Sequence, residues 1–355
     1  MTPKDQDVFF MRRAIEIAQK GGIQTRPNPN VGCVLVKNGK IIAEAWHKKF
    51  GGPHAEASAL KQAGPRAKGS VAYVTLEPCV GFPGKKTPSC ATALAQVGIK
   101  RVVIAHEDPN SKVSGQGIRL LRRNKMTVSI GILKAESEKL NTGFIWRHKY
   151  GRPYVILKLA LSLDGKAFAL NGKSKWITEE PARRLAHIIR SRVDAILVGI
   201  ETVIKDNPSL SSHGKGLNPL RVILDTHLRA PKTAKVFDSA AKTLIFTATK
   251  KIMPNVETIK IPLKNKSVSL SVTLRELAQR GVGTLLVEGG PKICAAFLNE
   301  NLADEINFFI SPKLLSGAFD PNRAPQATHL SLKKIGHDYF FQGKIRSPQG
   351  FRTLC

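Results

Sequence analysis

The sequence predicts two α/β units in tandem, and three observations carry that expectation. Its 355 residues exceed what a single core commonly serves. Strand and helix patterns alternate along both halves, as layered α/β units require. Between the halves, Gly151-Arg152-Pro153 punctuates the chain, and the pattern restarts at Tyr154. The boundary is placed near residue 150, with domains over residues 1–148 and 152–355.

In the first half, apolar residues at helical spacing (Val8, Met11, Ile15, Ala18) predict a helix over 5–20, stopped at Gly21-Gly22. Strands Val31–Val36 and Ile41–Trp46 flank Asn38-Gly39, a strong hairpin turn. A helix is expected from His54 to about Ala63, then strand Val71–Leu76, a loop and a helix over Ser89–Val97. Strand Val102–Ala105, helix Gly117–Asn124, strand Thr127–Ile132 and one helix over 134–146 complete the unit. The second half reads as strand Tyr154–Ala160, helix Glu180–Arg190, and strands Ala195–Val198, Arg221–Asp225 and Thr243–Thr247. Helix Val272–Gln279, strand Thr284–Glu288 and helix Pro291–Asn299 follow.

Composition narrows the class. Hydrophobic residues make up 42 %, enough for packed cores and too many for a disordered chain. No run approaches the ~20 apolar residues of a membrane span, and the N-terminal residues lack signal-peptide regions, so a cytoplasmic protein is expected. The 56 Lys and Arg against 26 Asp and Glu give a net charge of +30, which favours polyanions. The basic residues are scattered in pairs such as Lys48-Lys49 and Lys250-Lys251, without aromatic interleaving. Charge alone carries no site, so phosphorylated small molecules are the expected partners and no specific nucleic acid.

The five cysteines are too few, and odd in number, for a disulfide framework. Cys33 and Cys294 sit in apolar surroundings as core thiols. Cys79 and Cys90 differ, because His54-Ala55-Glu56, Pro78-Cys79 and Cys90 follow one another as a catalytic-zinc set. One imidazole and two thiolates leave a fourth zinc position for water. His54 and Cys90 both fall at expected helix starts, whose positive ends favour a thiolate. Glu56 is then the proton shuttle between attacking water and leaving nitrogen. His-x-Glu followed by Pro-Cys and a further Cys is the nucleobase-deaminase arrangement, although here ten residues separate the two cysteines.

The strings Asn28-Pro29-Asn30-Val31-Gly32-Cys33, His47, Gly52-Pro53-His54-Ala55-Glu56, Thr75-Leu76-Glu77-Pro78-Cys79, Lys86-Thr87-Pro88-Ser89-Cys90 and Asp108-Pro109-Asn110 make the resemblance specific. The first 147 residues resemble the deaminase domain of bacterial riboflavin biosynthesis deaminase/reductase proteins, a family with a long loop between its two cysteines. The resemblance implies a cytidine-deaminase-like three-layer α/β/α fold, with Asn28, His47, Lys86, Asp108 and Asn110 holding the base and ribose phosphate. Asn-Pro and Asp-Pro-Asn are also good turn formers, so a purely local role stands beside the binding role. Two departures are visible: the Val80–Lys85 loop is about two residues longer than the family's, and the histidine expected just after the first cysteine is missing, with Val80, Gly81 and Phe82 in its place.

Alone, the second half offers only Glu288-Gly289-Gly290 between a strand and a helix as an anion site, and no G-x-G-x-x-G dinucleotide fingerprint. Residues 153 to about 312, however, resemble the same family's reductase domain through Lys158–Lys166, Ser174–Thr178, Ala182-Arg183, Asp194–Gly199, Thr202 and Asp206–Leu210. That resemblance implies a dihydrofolate-reductase-like α/β domain using NADPH. It implies that Ala160, Trp176, Thr178, Thr202, Asp206, Thr226, Glu288, Gly289 and Gly290 line the cofactor. Lys158, Ser174, Arg190 and Leu210 would face the ribosylamino substrate, with Arg190 on its phosphate. His213 stands where the family has an arginine, which predicts a raised substrate KM that worsens above neutral pH.

The expected reactions are deamination of 2,5-diamino-6-ribosylamino-4(3H)-pyrimidinone 5′-phosphate at Zn2+, then NADPH-dependent reduction of ribosyl to ribityl. The family expectation is a homodimer or higher homo-oligomer. The rival is a tRNA adenosine-type nucleic-acid deaminase with a fused domain, which the charge suits but the cysteine spacing and reductase strings do not.

Overall fold

The computed structural model describes residues 2–81, 89–111, 113–163, 165–167, 177–312 and 327–345. Contacts divide the chain into Met1–Lys149 and Tyr150–Cys355.

The first unit runs α1 (Pro3–Ala18), β1 (Gly32–Lys37), β2 (Lys40–Trp46), α2 (Ala55–Ala63), β3 (Val71–Val74), α3 (Cys90–Val97), β4 (Arg101–Ile104), α4 (Gln116–Arg123), β5 (Thr127–Ile130), α5 (Lys134–Leu140) and α6 (Thr142–Tyr150). Thr2 starts α1 with a capping box to Asp5. Asn38 and Gly39 turn the β1–β2 hairpin with φ of 52° and 73°, the left-handed pair such a turn demands. Among the described residues the sheet order is β2-β1-β3-β4-β5, with β1 antiparallel to β2 and β3, and β3, β4 and β5 parallel.

Strand residues alternate between two cores, the period of two that a strand buried on both faces produces. Cys33, Leu35, Ala72, Val74, Val102 and Ile104 pack with Ala55, Ala59 and Ala63 of α2 and Leu94 of α3. Their neighbours Val34, Val36, Tyr73 and Val103 pack on Phe10, Met11, Ala14 and Ile17 of α1. The result is three layers, α/β/α. Buried Asp7 ties α1 to the sheet, accepting from Arg101 at 2.9 and 2.6 Å and from the Tyr73 hydroxyl at 2.9 Å.

The second unit runs β6 (Tyr154–Ser162), α7 (Glu180–Arg190), β7 (Ala195–Gly199), α8 (Ile200–Asp206), β8 (Leu220–Leu224), β9 (Thr243–Thr247), β10 (Glu257–Lys260), β11 (Leu263–Lys264), β12 (Ser267–Val268), α9 (Leu270–Gln279), β13 (Thr284–Val287), α10 (Pro291–Asn299), β14 (Glu305–Ser311), β15 (Ala327–Ile335) and β16 (Asp338–Ile345). Its large sheet has the order β10-β9-β8-β7-β13-β6-β14-β16-β15 among the described residues. The strands from β10 to β14 in that order run parallel, and the β15–β16 hairpin closes the other edge antiparallel to β14. Val155, Leu157, Leu197, Val222, Phe246 and Val287 face one core; Ile196, Val198, Ile223, Ile245 and Leu286 face the other.

Consecutive strands β6 and β7 are separated by β13, so the order reverses there. In an open parallel sheet, ligands bind outside the carboxyl ends of strands at such a reversal. At the opposite strand ends, Arg152 meets Asp304 in a bidentate pair of 2.6 and 2.8 Å, and Asp304 also accepts from the Val155 N–H.

Candidate active sites

In the first unit, two helix starts and one strand end converge. His54 is the N-cap of α2 and Cys90 the first residue of α3. Cys79 lies beyond β3, and its carbonyl accepts from the Ser89 hydroxyl (3.2 Å) and the Ala91 N–H (3.1 Å). Ser89 in turn caps α3 through the Thr92 N–H, so one short segment sets both the helix start and the spacing of the sulfurs. His54 Nδ1 lies 3.4 Å from Cys79 Sγ and 3.3 Å from Cys90 Sγ. The three ligand atoms fall within 4.8 Å of one another, the one such His/Cys/carboxylate group among the described residues. Two ligands of a tetrahedral zinc lie roughly 3.5 Å apart, so the donor set and its spacing fit that ion.

Glu56 is the second residue of α2 and is 3 % exposed. Burial, reinforced by Cys79, pushes its carboxyl up to about 7. A carboxyl near neutrality can both accept and return a proton. Cys33 and Cys294 are buried, and burial raises both thiols, as core cysteines should behave.

Two loops approach this centre. His47 Nδ1 lies 3.0 Å from the Pro53 carbonyl and must donate to it, which leaves Nε2 to accept from the Asn28 side-chain amide at 3.2 Å. Burial lowers the His47 pKa, consistent with that neutral tautomer, and its ring packs edge-on against His54 at 5.4 Å. Asn28, His47 and His54 therefore form one contiguous group.

Asp108 and Asn110 lie in the loop after β4, where Asp108 accepts from the Asn110 N–H at 2.8 Å. That bond is the turn chemistry the sequence left open. The loop is held by Glu77, whose buried carboxylate accepts the N–H groups of Asp108 (3.2 Å), Gly115 (2.9 Å) and Ile118 (3.2 Å). Sequence reasoning did not single out Glu77 as a residue, although it stands in the Thr75–Cys79 string. Lys86 lies outside the described residues.

In the second unit, residues assigned by sequence to different ligands form one ionic cluster. Glu288, just beyond β13 and with a side chain 6 % exposed, accepts from Arg190 Nε at 2.7 Å and Nη2 at 2.9 Å, and from Lys158 Nζ at 3.4 Å. Burial alone would raise this carboxyl, but Arg190 and Lys158 outweigh it and hold it at about 2. Arg190 spends Nη1 on the Ser211 carbonyl at 3.1 Å, so three of its five N–H groups are committed inside the protein. A phosphate would meet only the remaining edge.

The Gly289-Gly290 turn has a packing reason. A Cβ on Gly289 would lie 2.6 Å from Ile293 Cβ, and one on Gly199 would lie 2.9 Å from Ile293 Cγ1. Gly290 is the N-cap of α10. Ala160 lies on β6, Thr202 and Asp206 on α8, and Thr178 just before α7. Leu210 is buried in the loop after α8, and the Thr226 carbonyl accepts from the Ala248 N–H at 3.1 Å. None of these six belongs to the Glu288 cluster. Ser174 and Trp176 lie outside the described residues.

His213 stacks on His187 with ring centroids 4.1 Å apart. Burial and nearby Arg190 lower its pKa, and His187 is held at about 4. Both influences disfavour protonated His213, which points to a pH dependence on the acid side of neutrality in place of the alkaline side expected from the sequence.

The family described as the cytidine and deoxycytidylate deaminase zinc-binding region matches residues 4–106, and the RibD C-terminal domain matches residues 153–341. Riboflavin biosynthesis protein RibD of Buchnera aphidicola is 40 % identical over 94 % of this chain and 97 % of its own length. That of Escherichia coli is 38 % identical over 94 % and 98 %. The solved structure of Acinetobacter baumannii RibD superposes with a TM-score of 0.88 at 36 % identity, over 97 % of this chain and 100 % of that one. A diaminohydroxyphosphoribosylaminopyrimidine deaminase/5-amino-6-(5-phosphoribosylamino)uracil reductase from Thermotoga maritima gives 0.86 at 37 %, over 97 % and 99 %.

Proposed function

We propose a division of chemistry for this chain, which belongs to the RibD family of riboflavin biosynthesis proteins and is a bifunctional deaminase and reductase. The first unit hydrolyses the exocyclic amine of 2,5-diamino-6-ribosylamino-4(3H)-pyrimidinone 5′-phosphate. The second converts the ribosyl group to ribityl with NADPH. The observation that carries the first assignment is the His54–Cys79–Cys90 triangle with Glu56 buried beside it. A nucleic-acid deaminase is not favoured, because the second half matches a reductase over residues 153–341.

His54, Cys79 and Cys90 would hold the zinc, which when bound would supply a Lewis acid for activating water. Glu56 takes a proton from the attacking water and returns one to the departing nitrogen, which leaves as ammonia. Asn28 and His47 orient the pyrimidine, while Lys86, Asp108 and Asn110 meet its polar edges and ribose phosphate.

In the reductase, reduced nicotinamide when bound supplies a hydride to the ribosyl C1′. Ala160, Trp176, Thr178, Thr202, Asp206, Thr226, Gly289 and Gly290 would hold the cofactor. Glu288, ionised at neutral pH, holds charge and donates no proton. It fixes Lys158 and Arg190, and the outer edge of Arg190, with Ser174, Leu210 and His213, meets the substrate. Lys158 is the donor of the cluster and places a proton on the opening sugar oxygen.

Supplying the diamino pyrimidine tests this reading when ammonia and NADPH oxidation are followed separately. Ammonia should appear without NADPH, and oxidation should depend on prior deamination. Oxidation of NADPH on the undeaminated compound, at an undiminished rate, would overturn the order.

His213 gives a further expected result. His213→Arg adds a permanent charge beside the phosphate and should lower the reductase KM by roughly tenfold, the worth of one charge-assisted hydrogen bond. The ratio of wild-type to variant KM should stay flat above about pH 7 and shrink only in acid, because the lowered pKa of His213 confines its charge to that side. A ratio that climbs between neutral and alkaline pH would contradict this.

A further inference from the structure

The Asn28 loop is held from both sides by residues that lie beyond the zinc-binding region matched over residues 4–106. Asn141 separates α5 from α6 and is buried. Its Oδ1 accepts the Asn30 N–H at 2.8 Å, and its Nδ2 donates to the Asn30 carbonyl at 2.9 Å. One side chain thus satisfies both backbone groups of a residue 111 positions away, in the manner of a paired strand. From α6, Arg147 Nη2 donates to the Pro27 carbonyl at 3.0 Å. The backbone on either side of Asn28 is therefore pinned. Ser137 of α5 donates to the Thr75 carbonyl at 2.7 Å, docking the same segment on the strand end that leads to Cys79.

Asn28 passes this restraint to the centre. Its N–H is held by the Thr25 carbonyl at 2.9 Å, and its amide donates to His47 Nε2, whose ring abuts His54. Since His47 can only accept at Nε2, the Asn28 amide is fixed in one of its two flips, and its Oδ1 is free of that bond. The match to the cytidine and deoxycytidylate deaminase zinc-binding region ends at residue 106, so residues 137–147 lie beyond the shared zinc module.

We propose that Asn141 is a positioning residue for the pyrimidine, acting through Asn30 to preset the Asn28 amide before substrate arrives. A preset polar group gives up less orientational freedom on binding, so its loss appears in substrate affinity and not in the chemical step. This inference rests on the reading that Asn28 touches the pyrimidine.

The test uses the full chain with Asn28→Ala, Asn141→Leu and both together. Asn141→Leu keeps the size and removes both bonds. It should raise the KM for ammonia release by about tenfold, the worth of one to two hydrogen bonds, with kcat and zinc content unchanged. In the Asn28→Ala background the same change should add almost nothing, because its route to the substrate is already gone. Full multiplication of the two KM effects, or a loss of zinc and kcat in proportion to KM, would overturn the proposal and make Asn141 a general support. If Asn141→Leu fails to accumulate as folded protein, Asn141→Ser leaves room for water and takes its place in the same cycle, where the same results support or overturn the role. An unchanged KM in Asn28→Ala would defeat the reading of Asn28 itself. A raised KM there, with Asn141 variants like wild type, would defeat the positioning role alone.

Discussion

Replacing Glu56 with glutamine should lower kcat for ammonia release by a factor of about a thousand or more, with zinc still bound. Proton transfer by a placed group contributes roughly 10²–10⁴-fold to a rate, and deamination needs two transfers through one carboxyl. Glutamine has the same shape and can hydrogen-bond, but it cannot take a proton. Glu56 is buried against the sulfurs without belonging to the set formed by His54, Cys79 and Cys90. Metal analysis of the variant should therefore return the wild-type zinc content. If zinc disappears in parallel with activity, Glu56 is a structural support and the shuttle role is lost.

Glu288→Ala should have the second largest effect, on the other activity. Glu288 is the anion for both Arg190 and Lys158, whose side chains are 13 % and 16 % exposed. Removing one partner of a buried ion pair costs about 3–5 kcal/mol, because the remaining charge stays desolvated and uncompensated. Here two cations are left. NADPH oxidation should fall by at least about a hundredfold, since a substrate cradle displaced by an ångström loses that much. The reductase should also inactivate at a lower temperature. Ammonia release should remain at the wild-type rate. Glu288→Gln, which keeps the shape and loses the charge, should resemble alanine in rate and lie closer to wild type in stability. Full reductase activity in Glu288→Ala would show the cluster to be a bystander.

Much of this was legible in the residues because the signals were local. Short apolar runs such as Val31–Val36 and Ala195–Val198 marked the central strands of both sheets, Asn38-Gly39 marked the hairpin, and His54 and Cys90 were recognisable as helix starts. The remainder depended on partners far along the chain. One helix was expected over 134–146, yet α5 ends at Leu140 and α6 begins at Thr142. Asn141 separates them with a non-helical backbone (φ −116°, ψ 24°), and its side chain is spent on Asn30, a bond invisible to helical periodicity. β14 escaped notice because its buried positions are Asn307, Phe309 and Ser311, so polar residues interrupt the apolar alternation. Glu288 was placed beside the cofactor by the family resemblance, and its cationic partners from β6 and α7 could not be read from the sequence. Helix α8 was missed because seven residues after a strand carry too little periodicity.

One zinc ion at His54, Cys79 and Cys90 is expected to enable the deamination, and metal analysis coupled to an ammonia assay decides whether it does. The purified chain should carry one zinc. Chelation should abolish ammonia release while leaving NADPH oxidation on the deaminated pyrimidine intact, and added zinc should restore it. A chain that binds no zinc and releases no ammonia after reconstitution, or that releases ammonia equally well once stripped, would contradict the account.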